Sequence, residues 1–279
     1  MPAVQSLAAR IASTLHGAEV YAQSLTRRLV AQELAVAGQI QSSFLPDALP
    51  EVDGWQLVAT LVPARETSGD FYDVIPLGDG RLGILVADVA DKGMGAALYM
   101  ALCHTLIRTY AAEPNARPDR AFGATNRRIL MDARAGLFVT AFYGALDPST
   151  GVLTYCNAGH SPPYLLRAGG GAEMEVLHRT GMALGVIEDE TWTQATVQLH
   201  PGDVLLLYTD GIIDAQDQRG KVFGKRRLRE RMQASARFSA GQRPSAQEVQ
   251  DALLADVHRF MGGVPQFDDI ALMIVVRQP

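Results

Sequence analysis

The sequence predicts an α+β chain, a layered sandwich rather than a doubly wound sheet, because its strands come in groups and its helices come in groups. Three observations carry this reading. Short apolar runs bounded by Gly, Pro and Asp recur from Pro46 onward. Helical stretches fall in pairs between and after those runs. The residues before Pro46 keep a helical period with no strand pattern.

Taken in order, Val4, Leu7, Ile11 and Leu15 recur at helical spacing, and His16-Gly17 offers a break. Leu25, Leu29, Val36, Ile40 and Phe44 continue the period until Pro46 stops it. Gln23, Arg27, Arg28, Gln32, Glu33, Gln39 and Gln41 fall on the polar face. Residues 1–45 therefore read as one long amphipathic helix, or two in series, ahead of a compact domain. An apolar stripe this long has to cover a surface. That surface is either the chain's own domain or, as the favoured expectation, a dimer or signal-relay contact, although the heptads are too irregular for a stable coiled coil.

Beyond Pro46, Trp55 to Val62, Asp70 to Pro76 and Arg81 to Asp88 read as strands. Gly93 to Ala111 is apolar on most sides and reads as a helix buried against a sheet, and Pro118 opens another that reaches Asp132. Strands resume at Leu137 to Leu146, Val152 to Asn157, Pro163 to Arg167, Thr191 to Leu199 and Val204 to Thr209. The turn Asp147-Pro148-Ser149-Thr150-Gly151 joins two of them as a hairpin. Helices follow at Lys225 to Ala236 and Ser245 to Met261, before a last strand from Ile270 to Arg277.

With 279 residues, 48% of them hydrophobic and 20% charged, the chain can bury a large core in one domain with an appendage. Its longest uncharged stretch, Gly93 to Ile107, is too short to span a membrane, which takes about 20 apolar residues. The start MPAVQSLAAR shows no signal-peptide pattern. A net charge of −5 argues against general attraction to nucleic acid or anionic lipid. Cys103 and Cys156 make no disulfide framework and no CxxC pair. The expectation is a cytoplasmic, reduced, globular protein.

Candidate chemistry lies in aspartates at strand ends: Asp70 and Asp73, Asp88 and Asp91, Asp210, and Asp268 with Asp269. A carboxylate beside a buried apolar run is costly unless it is paired, hydrogen-bonded or bound to a cation. These acids lack an obvious set of Lys or Arg neighbours, and all-oxygen donors favour Mg²⁺ or Mn²⁺ over zinc. Any one strand-end Asp also reads as a turn or cap residue, and spacing alone does not bring the acids together.

The motifs Glu66-Thr-Ser-Gly-Asp-Phe-Tyr-Asp73, Ala87-Asp-Val-Ala-Asp-Lys-Gly-Met-Gly-Ala-Ala-Leu98, Thr140-Ala-Phe-Tyr-Gly144, Asn157-Ala-Gly-His-Ser-Pro-Pro163, Leu207-Tyr-Thr-Asp-Gly211 and Asp268-Asp-Ile270 occur in that order. In series they resemble bacterial serine phosphatases of the stage II sporulation protein E type. That type includes partner-switching stress regulators and belongs to the metal-dependent (type 2C) protein phosphatase superfamily. The resemblance covers Ser42 to Arg277 and implies an α-β-β-α sandwich of two antiparallel sheets flanked by helices, with residues 46–279 as the phosphatase domain. It implies two Mn²⁺ or Mg²⁺ ions, with Asp88 bridging them, the Val89 carbonyl completing one shell, Asp70 on the second ion, and Asp210 and Asp268 on the first. Asp269 is the second choice of its pair, and Asp73 and Asp91 are water-mediated candidates. The implied activity is hydrolysis of a phosphoserine or phosphothreonine on a regulatory protein, an anti-sigma-factor antagonist.

Some positions depart from the family pattern. Ser68 stands where many relatives have glycine, and Ala90-Asp91 where many have Ser-Gly. No Arg stands where eukaryotic members of the superfamily grip phosphate, Arg65 being only a distant candidate. Ser68 has no neighbouring base to make it a nucleophile. His160 reads as a histidine that fixes its loop, the two cysteines as buried thiols, and the basic run from Lys221 to Arg231 as a solvated face, with a docking surface as its alternative. A non-catalytic binding module of the same fold and a small-phosphoester hydrolase are the rival readings.

Overall fold

The computed structural model describes residues 2–132, 136–168, 174–236 and 245–279, and within its helices the side chains of residues 2–14, 17, 19, 235 and 236 lie outside that description. In chain order the elements are α1 (Pro2–Ser42), β1 (Trp55–Val62), β2 (Asp70–Pro76), β3 (Leu82–Val89), α2 (Met94–Ala111) and α3 (Pro118–Asp132). Then come β4 (Val139–Leu146), β5 (Val152–Ala158), β6 (Tyr164–Leu166), β7 (Met174–Val176), β8 (Ala195–Gln198) and β9 (Val204–Tyr208). The last are α4 (Gly211–Asp214), α5 (Gly224–Ala236), α6 (Ala246–Met261) and β10 (Ile270–Arg277).

Two five-stranded antiparallel sheets form, ordered β1-β10-β9-β6-β7 and β2-β3-β4-β5-β8. Both faces of the central strands are buried, so those strands read as continuous apolar runs, and the pleat sorts the side chains. On β3, Leu82, Ile84 and Val86 point at the other sheet, whereas Leu85, Ala87 and Val89 point at α2 and α3. On β10, Met273 and Val275 point inward, whereas Leu272, Ile274 and Val276 meet Leu228 of α5 and Val249, Leu253 and Val257 of α6. The result is the expected α-β-β-α sandwich with a long helix ahead of it.

Three local differences from the sequence reading have physical causes. The helix does not break at His16-Gly17: α1 is continuous, a mid-helix glycine costing only about 1 kcal/mol. The strand read over Thr191 to Leu199 shrinks to β8, because Trp192 is buried and its indole N–H donates to the Met182 carbonyl at 2.8 Å. The three-residue β7 and four-residue α4 are too short to leave a periodic signal.

The apolar stripe of α1 points away from the domain. Leu25, Leu29, Val36 and Ile40 are 42%, 62%, 51% and 60% exposed. The Val4, Leu7 and Ile11 part of the stripe lies outside the described side chains. The face turned to the domain instead carries the half-buried Leu34, Ala37 and Gly38 and the buried Gln41. At Gly38 a β carbon would stand 2.0 Å from the Glu66 carbonyl oxygen, so this crossing needs glycine. Gln41, which the periodicity put on the polar face, is the most buried residue of that contact.

Candidate metal centre

Antiparallel register sets Asp70 of β2 directly opposite Asp88 of β3. Both share the parity of Tyr72, Val74, Ile84 and Val86, the face turned to the other sheet. In that sheet β9 and β10 pair with Tyr208 opposite Leu272, which brings together the segments beyond their ends. The Thr209 amide donates to the Ala271 carbonyl at 3.0 Å, and its hydroxyl accepts from the Ala271 amide at 2.9 Å. Gly211 passes so close to the Asp269 carbonyl oxygen that a β carbon would stand 1.9 Å from it. Glycine after Asp210 therefore lets the Asp210 and Asp268-Asp269 segments meet at the end of the sandwich where Asp70 and Asp88 lie.

The electrostatics describe one cluster. Asp70 is buried, and burial followed by the charge of Asp88 pushes its pKa well above the carboxylate range, with the Thr209 hydroxyl opposing. Burial, then the charges of Asp210, Asp268 and Asp269, push Asp88 up to about 7. Asp210 is raised by burial and then by Asp268 and Asp214, with Lys92 pulling it down. Asp70 Oδ2 is buried with no hydrogen-bond partner among the described residues. Val89, beside Asp88, is buried, and its amide donates to the Gly69 carbonyl at 3.3 Å.

The two acids before β10 have different surroundings. Asp269 accepts from the Ala64 amide through Oδ1 at 2.7 Å and from the Gly69 amide through Oδ2 at 2.9 Å. It thereby pins the loop that leads into Asp70. Asp268 Oδ2 lies 2.9 Å from Lys92 Nζ, and its Oδ1 accepts from the Asp269 amide at 3.0 Å.

Asp73 does not join the cluster. It is three residues from Asp70, so the pleat turns it to the opposite face, where Arg108 Nη1 lies 2.7 Å from Oδ1 and His104 Nε2 lies 3.0 Å from Oδ2. Asp91 is exposed at φ +90°, a left-handed conformation that favours glycine, and it accepts from the Lys92 amide at 2.8 Å. The Ser68 hydroxyl is engaged with its own loop, accepting from the Asp70 amide at 3.0 Å. His160 is buried with Nδ1 2.9 Å from Thr140 Oγ1, and burial pushes its pKa down to about 3, so it is neutral and fixes its loop. Cys103 and Cys156 are buried, and burial pushes both thiols up.

Among the described residues, no three His, Cys, Asp or Glu side chains are already gathered closely enough to hold an ion. The cluster nevertheless fits hard divalent cations. Its donors are carboxylate oxygens, one of them buried without a partner, and the charges of neighbouring acids push Asp70 and Asp88 up.

Residues 78–278 match the family model described as "Stage II sporulation protein E (SpoIIE)". The chain belongs to the SpoIIE family. It is 33% identical over 296 residues to Protein IcfG of Synechocystis sp., covering 92% of this chain and 45% of that protein. It is 27% identical to phosphoserine phosphatase RsbU of Bacillus subtilis, covering 68% of this chain and 56% of that one. The SiaA-PP2C domain of Pseudomonas aeruginosa superposes with a TM-score of 0.76 at 25% identity, over 91% of this chain and 99% of that one. The chain spans about half the length of the curated relatives it matches.

Two site residues of this SpoIIE-family chain escaped the sequence reading. Gln41 of α1 grips the Ser68 backbone from both sides: its Oε1 accepts from the Ser68 amide at 2.9 Å, and its Nε2 donates to the Ser68 carbonyl. Lys92 reaches across to the Asp268 loop. A lone helix glutamine carries no sequence signal. The neighbourhood of Lys92, between Asp91 and Gly93 in an acidic motif, was the signal available for the other.

Proposed function

We propose that the chain is a Mn²⁺- or Mg²⁺-dependent protein serine/threonine phosphatase acting on a phosphorylated regulatory protein. The observation that carries this reading is the convergence of Asp70 and Asp88 from one sheet with Asp210 and Asp268 from the other at one end of the sandwich. Asp88, which feels the charges of Asp210, Asp268 and Asp269, is the acid that would be shared by two ions. Asp70 and the Val89 carbonyl would serve one side, and Asp210 and Asp268 the other. Asp269, with both oxygens on backbone amides, would hold the Asp70 loop in position rather than bind. Two bound ions would supply a water of lowered pKa and positive charge for the phosphoryl oxygens.

The protein's own part is positional. β2–β3 pairing fixes Asp70 against Asp88, Gly211 lets Asp210 approach Asp268, and Gln41 with Asp269 fixes the entry to β2. The chain needs no nucleophilic side chain, consistent with Ser68 being tied to its own loop. The family resemblance and the name of RsbU, a phosphoserine phosphatase, support a phosphoserine substrate, and the resemblance favours an anti-sigma-factor antagonist in the cytoplasm. No helix of the described residues is long and apolar enough to cross a membrane. Residues 1–45 form the input segment in this reading and 46–279 the phosphatase domain, with the exposed stripe of α1 pairing two copies.

The test is phosphate release from a small aryl phosphate and from a phosphoserine peptide with Mn²⁺, Mg²⁺ or EDTA, on wild type and Asp210→Asn. Turnover that needs metal and disappears in the variant is expected. Metal-independent turnover, or turnover that survives Asp210→Asn, would sink the reading. Sedimentation of Leu25→Glu with Leu29→Glu tests the pairing, which fails if both proteins run as monomers.

A further inference from the structure

We propose that Lys92 is a resident cation that a divalent ion must displace from Asp268, and that it sets how tightly the acid cluster takes metal. The proposal rests on the metal-dependent reading above. Lys92 sits in the loop between β3 and α2, where Asp91 and Gly93 both take positive φ, +90° and +84°. Its ammonium has three contacts from a segment about 175 residues further along the chain. Nζ is 2.9 Å from Asp268 Oδ2, donates to the Phe267 carbonyl at 2.9 Å, and stands 4.2 Å from the centre of the Phe267 ring.

An exposed ion pair is ordinarily worth little, and these side chains are 31% and 32% exposed. What sets this pair apart is the carboxylate it occupies. Asp268 acts on both Asp88 and Asp210, and Lys92 in turn pulls Asp210 down, so its charge reaches beyond one partner. An ion binding at Asp268 therefore competes for the Oδ2 electrons and meets a like charge held within the same loop pair. Both effects weaken binding, and both disappear when the ammonium is removed.

Calorimetric titration of the full chain with MnCl₂ reads this directly, without any turnover. The proteins are wild type, Lys92→Gln, Lys92→Met, Lys92→Arg and Asp88→Asn, each first checked to be folded by a cooperative thermal transition. Lys92→Gln and Lys92→Met are expected to bind Mn²⁺ roughly three- to tenfold more tightly than wild type, and Lys92→Arg about as wild type, the size expected for losing one partly screened charge contact. The methionine variant guards against the glutamine amide acting as a donor itself. Equal or weaker binding in both neutral variants overturns the proposal, because Lys92 then only ties two loops together. If Asp88→Asn abolishes binding while neither neutral variant gains, only the Lys92 proposal falls. If Asp88→Asn binds as wild type, or no protein binds, the metal-centre reading falls and this proposal with it.

Discussion

Asp70 and Asp73 stand three residues apart on one strand, both at most 3% exposed, and face opposite electrostatic fates. Asp73 points to the helix layer. There burial alone would raise its pKa, but His104 and Arg108 outweigh burial and hold it below the ordinary carboxylate range. Asp70 points to the inter-sheet end, where burial and Asp88 drive its pKa the other way and one oxygen has no partner. Burial of both with opposite shifts separates a carboxylate paired within the fold from one left with an unpartnered oxygen among like charges. The second kind costs stability, and on the proposed metal-dependent reading a bound cation would offset that cost.

The largest effect that bears on this contrast is on activity. Asp88→Asn is expected to lower metal-dependent phosphate release by at least about a hundredfold, the scale of losing a principal electrostatic group in an active site. Its thermal transition should stay or rise, since a half-buried carboxyl among like charges loses its charge. A variant that melts well below wild type would make Asp88 a structural residue, and the contrast with Asp73 would collapse.

Asp73→Asn should behave in the opposite way. It removes the charge that holds a buried histidine and a half-exposed arginine, so a loss of about 2 kcal/mol is expected, or roughly 4–8 °C in a chain of this size. Metal affinity by calorimetry should be unchanged, because the pleat separates Asp73 from the cluster. Loss of metal binding in a folded Asp73→Asn protein would return Asp73 to the site.

Acid sharpens the same pair. The folded pKa of Asp73 is depressed, so its stabilisation is fully present above the unfolded carboxylate value near about 4 and is lost as pH falls through the lower folded value. Denaturant midpoints of wild type and Asp73→Asn should differ most above about pH 4 and converge as pH drops below it. A difference that stays constant into acid would mean that packing, not charge, is what Asp73 provides.

Much of this was legible in the sequence. Ile270 to Arg277 and Asp70 to Pro76 were read with the bounds the structure shows, because apolar runs ended by Gly, Pro or Asp have few alternatives. The odd spacing of Asp70 and Asp73 puts them on opposite faces once both lie on one strand, yet the sequence reading kept Asp73 as a water-mediated candidate, because the motif weighed more there than alternation. The orientation of α1 was not. Periodicity finds the apolar face of a helix but not which face the domain takes, and here small residues and a glutamine win because Gly38 and Ala37 allow close approach. The contacts of Lys92 and Gln41 join residues 175 and 27 apart in sequence, which local patterns do not reach.

Gln41 supplies the smallest of these effects and links α1 to the acid cluster. Its amide spans the Ser68 backbone while Asp269 holds the adjacent Gly69 amide, so the residue before Asp70 is fixed from two directions. Gln41→Ala removes the α1 side alone and leaves two buried backbone groups of Ser68 to find water. A hydrogen bond is worth about 0.5–1.5 kcal/mol, and part of that reaches Asp70 as looser positioning. The expected result is a two- to fivefold weaker Mn²⁺ affinity at unchanged metal stoichiometry, with Gln41→Glu failing to restore it because a carboxylate cannot donate to the Ser68 carbonyl. Wild-type affinity in Gln41→Ala would mean that Asp269 alone holds the loop, and that α1 ends on the domain without reaching its acids.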